Sequence, residues 1–227
     1  MSNWMSLFKP VLDLWFKPNC VLCDRPAQDI VCKYCQGQLQ QCQFTKPEQF
    51  WRQEAPSLFV WGAYQGHLKR AIAQIKLEGD RNCPQLAKPL GQWLAQAWLQ
   101  SPVYQGKKLT VVPIPSDPQR LKQRGFNQAE LIAKGFCDLT GYPLQPQGLT
   151  RTRQTQALYS LSKQQRQQEL SQAISLGPAF RRRRPRTAVL LLDDIYTTGT
   201  TCRESYKVLK HYRIPVYGIV AIATSKK

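Results

Sequence analysis

An unbroken apolar run that ends in two acids is the feature that most constrains how this chain folds. Residues 188–192 are Ala-Val-Leu-Leu-Leu, and Asp193 and Asp194 follow directly. A continuous apolar run of this length predicts a strand buried on both faces of a parallel sheet. Ligands of such sheets bind at the carboxyl ends of the strands. The sequence therefore predicts that both acids lie at a binding site.

The segment after the acids predicts a phosphate-binding loop. It is rich in threonine and contains one glycine, and its residues are Thr197, Thr198, Gly199, Thr200 and Thr201. The glycine lets the backbone approach a ligand closely. Loop N–H groups, hydroxyls and the N-terminus of the helix predicted over 201–211 together suit a phosphate. The paired carboxylates suit two neighbouring hydroxyls, directly or through Mg²⁺. A ribose 5-phosphate has both features.

Strands and helices alternate along most of the chain. Apolar runs predict strands over 58–64, 109–113, 188–192 and 216–223. Helical periodicity and composition predict helices over 67–78, 84–100, 126–139, 162–173 and 201–211. This alternation predicts an α/β fold with a doubly wound parallel sheet. We place that domain at residues 46–227, after a small N-terminal module at residues 1–45.

The N-terminal module contains two CxxC turns separated by eight residues. In a reducing compartment, such turns predict a closed tetrahedral site for structural Zn²⁺, with the ligands Cys20, Cys23, Cys32 and Cys35. The short spacer favours a compact pair of knuckles over a long zinc ribbon. A redox dithiol pair and a metal-free remnant are the alternatives, and Cys42 is an alternative fourth ligand.

The first 16 residues predict an amphipathic helix, because their apolar side chains recur every three or four positions. These side chains are Trp4, Leu7, Phe8, Val11, Leu12, Trp15 and Phe16. The helix either packs on its own protein or contacts a membrane surface peripherally. The sequence shows neither the features of a signal peptide nor an apolar run of the roughly 20 residues that a membrane span needs. We therefore expect a cytoplasmic protein.

The net charge of +18 is concentrated in one part of the chain. Residues 107–186 contain 15 Lys and Arg but 4 Asp and Glu, and the densest run is Arg181-Arg182-Arg183-Arg184-Pro185-Arg186. An excess of this size favours polyanions such as nucleic acid, phosphates or anionic lipid. The alternative for the arginine run is a solvated loop. We expect the basic segments to border the same phosphate site as the two acids.

The segment from Val189 to Thr201 resembles the PRPP-binding signature of type I phosphoribosyltransferases: apolar residues, two acids, a short spacer and a Thr/Gly loop. Other segments resemble the ComF family of competence and DNA-utilisation proteins. They are the four-cysteine knuckle, the region of Lys76, Gly79 and Asp80, the Val111-Val112-Pro113-Ile114-Pro115 turn, the Arg-Gly-Phe-Asn-Gln-Ala box at 124–129, and the Arg151-x-Arg153-x-Thr155-Gln156 segment with Arg166. Together they cover nearly the whole chain and imply a type I phosphoribosyltransferase fold with a zinc knuckle.

The resemblance also implies roles for single residues. By similarity, Asp193 and Asp194 bind the ribose hydroxyls and organise Mg²⁺, and the loop from Thr197 to Thr201 holds the 5-phosphate. A pyrophosphate loop would contain Arg120, Lys122 and Arg124, and Arg124 joins the two acids as a catalytic residue. Guanidinium forks suit this task because they bind phosphate oxygens in pairs. Arg151 and Arg153 would belong to a flexible loop that closes over the site.

The resemblance implies two functions from different classes. The first is a competence or DNA-uptake factor that binds a PRPP-like ligand and single-stranded DNA, together with helicase or recombination proteins at the inner face of the membrane. The second is an active Mg²⁺-dependent phosphoribosyltransferase whose acceptor the sequence does not identify. Docking of a protein partner on the knuckle is compatible with either. Many relatives carry a histidine after the Pro-x-Pro turn, where this chain has Ser116, so no histidine is assigned a role.

Overall fold

The computed structural model describes residues 19–52, 56–77, 82–151 and 173–225. It divides the chain into two compact units, Met1–Gln41 and Cys42–Lys227. The domain boundary that we predict after residue 45 lies close to this division and stays a prediction. Several predicted features lie outside the described residues: the helix over 1–16, nearly all of the helix over 162–173, Gly79, Asp80, Arg153, Thr155, Gln156 and Arg166.

In the smaller unit, the described residues form a cysteine-containing turn followed by one helix. Asn19 and Pro26 form an antiparallel bridge, and the turn between them contains Cys20 and Cys23. Helix α1 (Lys33–Gln40) begins after Cys32, whose side chain caps the helix by accepting a hydrogen bond from the N–H of Cys35. The second pair of cysteines therefore lies at the start of a helix.

The larger unit is built on a four-stranded parallel sheet, which confirms the predicted α/β class. Its strands are β1 (Leu58–Ala63), β2 (Thr110–Pro113), β5 (Val189–Tyr196) and β6 (Val216–Thr224), in the order β1-β6-β5-β2. A separate antiparallel pair consists of β3 (Leu149–Arg151) and β4 (Ile174–Leu176). The helices are α2 (Gly66–Lys76), α3 (Ala87–Gln100), α4 (Pro118–Arg124), α5 (Gln128–Thr140), α6 (Pro178–Arg182) and α7 (Thr200–His211).

Helices cover both faces of the sheet. Val189 and Leu191 of β5 belong to one apolar cluster with Cys202 and Leu209 of α7. Because side chains alternate along a strand, the other apolar residues of β5 point to the opposite face, where α3 and α5 pack. This arrangement explains why the run at 188–192 has no polar position.

Helices α3 and α5 approach each other closely at two glycines. A Cβ on Gly91 would lie 2.1 Å from the carbonyl oxygen of Ile132, and a Cβ on Gly135 would lie 2.4 Å from that of Lys88. Such distances leave no room for a side chain, so this pair of helices requires glycine at both positions.

The segment between β2 and α5 contains a helix that the sequence analysis did not predict. Helix α4 begins after Asp117, which accepts a hydrogen bond from the N–H of Gln119, and Pro118 occupies its first turn. The helix ends at Gly125, which has a left-handed φ of 78°. Asn127 then caps α5, so the helix predicted from residue 126 begins at Gln128. Among the described residues, no helix is long and apolar enough to cross a membrane.

Candidate functional site

Asp193 and Asp194 lie in the last part of β5, at the carboxyl end of the sheet. The Asp193 carboxylate accepts a hydrogen bond from the N–H of Asp194 (2.9 Å) and one from the Cys202 thiol (3.4 Å). Burial raises the pKa of Asp193 to about 8, and the neighbouring charge of Asp194 acts in the same direction. Burial and the Asp193 charge also raise the pKa of Cys202 well above its usual value. Asp193 therefore needs a proton or a cation near neutral pH.

A lysine from α2 neutralises the second acid. The Nζ of Lys76, the last residue of that helix, lies 2.6 Å from the Oδ2 of Asp194. The Asp194 side chain is 14% exposed, so solvent screens this ion pair less than a surface pair. The sequence alone indicates no role for Lys76, because the contact joins two residues that are distant in the sequence.

The threonine loop turns sharply at Gly199. This residue has a left-handed φ of 71°, and a Cβ on it would lie 2.1 Å from the Tyr196 ring, so the position requires glycine. Helix α7 then begins at Thr200. Its N-cap residue is Gly199, which has no side chain that could cap the helix. The Oγ1 atoms of Thr198 and Thr200 lie 2.9 Å apart. The loop thus presents hydroxyls and a helix N-terminus beside the two acids.

The opposite wall is formed by the segment that follows β2. Asn127 fixes its path: the Nδ2 of Asn127 donates to the carbonyl of Ile114 (3.0 Å), and its Oδ1 accepts from Ser116 (2.7 Å). Arg151 at the end of β3 lies 3.9 Å from Asp117. Burial lowers the pKa of Arg151, and the charge of Asp117 opposes that effect. This side of the cavity therefore combines a turn held by hydrogen bonds with the guanidinium group of Arg151.

These walls enclose a cavity of about 570 Å³, which lies within the usual size range of small-molecule sites. The predicted site residues that line it are Asp193, Asp194, Thr197, Thr201, Arg120, Arg124 and Arg151. Thr198, Gly199 and Thr200 shape the loop without lining the cavity, and Lys122 is exposed on α4. Four cationic side chains, including Lys76, face three carboxylates across this space.

Gln128 is a lining residue to which the sequence analysis gave no role. Its side chain is 6% exposed at the start of α5, and its Nε2 makes no hydrogen bond within the described part of the chain. The Nε of Arg124 is buried in the same way. A buried donor without an acceptor costs about 1–3 kcal/mol. A ligand that offers acceptors at this point would therefore remove an existing penalty. Nothing in the sequence itself reveals that burial.

The arginine run at 181–186 does not border this cavity, so our expectation of one shared basic border is wrong. The run begins in the last turn of α6, with Arg181 and Arg182, and ends shortly before Val189, the first residue of β5. It therefore lies at the amino end of a strand whose carboxyl end contains the acids. Adjacency to β5 in the sequence did not imply adjacency to the site, because the strand itself separates the two.

In the smaller unit, the paired cysteines form a cluster that could hold a metal ion such as zinc. The Sγ atoms of Cys20, Cys23, Cys32 and Cys35 all lie within 4.8 Å of one another. Those of Cys23 and Cys32 lie 3.7 Å apart, close to the edge of about 3.8 Å in a tetrahedron with Zn–S bonds of about 2.3 Å. Cys42, the alternative ligand, donates to the carbonyl of Gln65 instead.

The thiols of this cluster are electrostatically coupled. Burial raises the pKa of Cys20, but hydrogen bonds from the backbone of Cys32 and Leu22 outweigh it and lower the pKa to about 6. Burial and the three neighbouring cysteines raise the pKa of Cys35 above its usual value. One thiolate therefore forms easily near neutral pH, and further thiolates need a cation among them. The donor set fits Zn²⁺.

No protein-family model matches the chain. Competence protein F of Haemophilus influenzae is 31% identical over 112 residues, which are 48% of each chain. Competence protein ComFC of Bacillus subtilis is 26% identical over 186 residues, which are 80% of this chain and 67% of the relative. DNA utilization protein YhgH of Salmonella typhimurium is 30% identical over 127 residues, 55% of this chain and 54% of the relative. The matches to the first and third relatives thus span about half of their length. The chain is thus similar, at 26–31% identity, to proteins named for competence and DNA utilization, which supports the resemblance to the ComF family.

Proposed function

We propose that the chain is a competence or DNA-utilisation factor whose larger unit binds PRPP or another ribose 5-phosphate ligand in the 570 Å³ cavity. The supporting observation is that two carboxylates, a threonine loop and three arginines line one space at the carboxyl end of the sheet. The names of the relatives, which include competence and DNA utilization, support the cellular role.

Each part of this ligand has a chemical counterpart on the cavity wall. The 5-phosphate would bind the loop from Thr197 to Thr201 and the N-terminus of α7. The ribose hydroxyls would donate to Asp193 and Asp194. The pyrophosphate would lie against Arg120 and Arg124 and accept from the orphaned donors there, because guanidinium groups bind phosphate oxygens in pairs. Arg151 would close the remaining side.

The donor chemistry of the acid pair fits Mg²⁺. Carboxylate and phosphate oxygens are the ligands that Mg²⁺ prefers, and Asp193 needs a positive charge to remain ionised at pH 7. Asp193 and Asp194 would hold the ion, which would neutralise charge on the pyrophosphate. In the smaller unit, Cys20, Cys23, Cys32 and Cys35 would hold structural Zn²⁺, whose closed thiolate shell leaves no position for catalysis.

Calorimetric titration with PRPP and Mg²⁺ tests the proposed ligand site. The double variant D193N/D194N should lose PRPP binding, because it removes both negative charges that would hold the ribose hydroxyls and Mg²⁺. D138N is the matched control, since Asp138 is an exposed carboxylate on α5 outside the cavity lining. Unchanged PRPP affinity in the double variant would show that the ligand binds elsewhere.

An active Mg²⁺-dependent phosphoribosyltransferase is the second candidate. An acceptor would form a bond to ribose C1, and the bond from C1 to the pyrophosphate oxygen would break. The three arginines favour this candidate, because they could stabilise the charge on departing pyrophosphate. Pyrophosphate release on addition of nucleobases or other acceptors tests it, and R124Q should slow release more than it weakens PRPP binding.

Single-stranded DNA is the proposed macromolecular partner. The net charge of +18 favours a polyanion, and such binding should weaken steeply with salt. The proposed place of action is the cytoplasm at the inner face of the membrane, with helicase or recombination proteins as partners. Binding to an oligonucleotide that is weak and independent of salt would contradict this part of the proposal.

A further inference from the structure

A second groove lies at the other end of the sheet from the ribose-phosphate cavity. It has a volume of about 390 Å³ and is lined by Arg183, Arg184 and Arg186, with Thr110, the first residue of β2, at its edge. Thr110 pairs with Val189, the first residue of β5. From Val189 to Asp193 the strand rises by about 13 Å. We name this second space the arginine groove.

The charge of the arginine groove is uncompensated. Its lining contains no carboxylate. The five arginines of the run at 181–186 are all exposed, and none forms an ion pair with an acid of the described ranges. By contrast, the ribose-phosphate cavity contains three carboxylates. The arginine groove should therefore attract an external anion more strongly than the ribose-phosphate cavity does.

The shape and chemistry of the groove favour a nucleic-acid strand with accessible bases. Its floor is mainly apolar and includes Pro143, Leu144 and Pro185. Closely spaced guanidinium groups match the repeated phosphates of a strand and bind their oxygens in pairs. An apolar floor adds contact with sugars and base faces, which a single strand exposes and a duplex stacks away. Phe180 is buried beneath the floor, so aromatic stacking does not contribute.

We propose that the arginine groove binds the sugar–phosphate backbone of single-stranded nucleic acid, separately from the cavity that binds the ribose phosphate. This inference rests on the DNA-handling role in the proposed function and adds its location. It has a specific consequence: the strand and PRPP bind at the same time and do not compete. It also predicts little sequence preference, because phosphate contacts carry no base information.

Fluorescence anisotropy of a labelled oligothymidylate of about 20 nucleotides tests this location. The variant is R183Q/R184Q/R186Q, and the control R70Q/K88Q/K210Q removes the same charge from exposed positions outside both spaces. Each lost phosphate contact should reduce the slope of log K against log salt by about 0.7, so the variant should lose about 2 in total. The ratio of the wild-type affinity to the variant affinity should then shrink about 20-fold between about 50 and about 200 mM salt.

Each outcome of this experiment has a separate meaning. The inference is supported if the groove variant loses affinity and slope, the control keeps both, and saturating PRPP changes neither. It is overturned, while DNA binding stands, if the groove variant binds like the wild type or if PRPP displaces the strand. Equal binding of a duplex or of polyglutamate overturns the choice of partner. If the wild type binds no strand at low salt, this inference and the DNA-handling role fail together, and PRPP calorimetry still tests the cavity.

Discussion

Replacing Asp193 by Asn should stabilise the unliganded protein while it abolishes ligand binding. The pKa of this carboxyl is raised from 3.8 to about 8 by burial and by Asp194. Between these pH values the folded state holds a proton that the unfolded state has released, so the stability of the wild type falls as pH rises. Asn does not titrate. The stability of the variant relative to the wild type should therefore increase as the pH rises.

The size of this effect follows from the pKa. From pH 6 to pH 8 the folded state loses stability relative to the unfolded state by about 1.4 kcal/mol per pH unit, and above pH 8 the loss levels off. The variant should thus gain at most about 3 kcal/mol over the wild type between pH 6 and pH 9. In a chain of 227 residues this corresponds to about 6–12 °C in Tm.

Thermal unfolding at pH 6 and pH 9 in buffer without Mg²⁺ measures this difference. Asn keeps the oxygen that accepts from the N–H of Asp194, so the fold should survive. D138N is the control, because the exposed Asp138 should give the same Tm difference from wild type at both pH values. If the Tm difference between D193N and the wild type is also the same at pH 6 and pH 9, Asp193 titrates like an ordinary carboxyl. That result would refute the reasoning about burial at the acid pair.

Three further predictions concern separate parts of the molecule. Q128E replaces a buried donor by an acceptor, so it should weaken PRPP binding at least about tenfold in calorimetry, whereas Q123E, on the exposed rim, should have a smaller effect. C32S should lower the zinc content of the purified protein, measured by atomic absorption, because three thiolates do not close the shell; C83S should leave it unchanged. G91A should lower the free energy of unfolding by about 1–3 kcal/mol or more, because its Cβ meets the backbone of α5. In contrast, G37A lies in open space on α1 and should raise helix stability by up to about 1 kcal/mol.

The sheet could be predicted from the sequence because each buried strand is a continuous apolar run. The exact length of a strand could not be predicted in this way. Strand β5 extends through both acids to Tyr196, since Asp193 still pairs with Ala221 of β6 through the main chain. Main-chain pairing does not depend on whether a side chain is apolar. A forecast from hydrophobicity therefore ends the strand at the first acid, four residues early.

The site was predictable where it is local in sequence and unpredictable where it depends on packing. Asp193, Asp194 and the threonine loop are contiguous, so their chemistry can be recognised without coordinates. Lys76 reaches Asp194 only because α2 ends beside β5. Gln128 becomes notable only when its amide is found buried without an acceptor. The Lys76–Asp194 contact joins segments that are far apart in the chain, and the burial of Gln128 depends on tertiary packing, so no local pattern encodes either feature.

The distribution of charge separates two kinds of ligand that the net charge alone does not distinguish. In the ribose-phosphate cavity, four cationic side chains face three carboxylates, so the lining is nearly neutral and selects a ligand with both hydroxyls and phosphates. In the arginine groove no lining residue opposes the guanidinium groups, so the groove selects for negative charge itself. Because β5 separates the two spaces, a mutation that removes charge from one should leave the affinity of the other unchanged, apart from long-range attraction that salt screens within about 10 Å. Of the two spaces, the arginine groove therefore has the more positive lining, with three cationic side chains and no acid against four cationic side chains and three acids in the cavity.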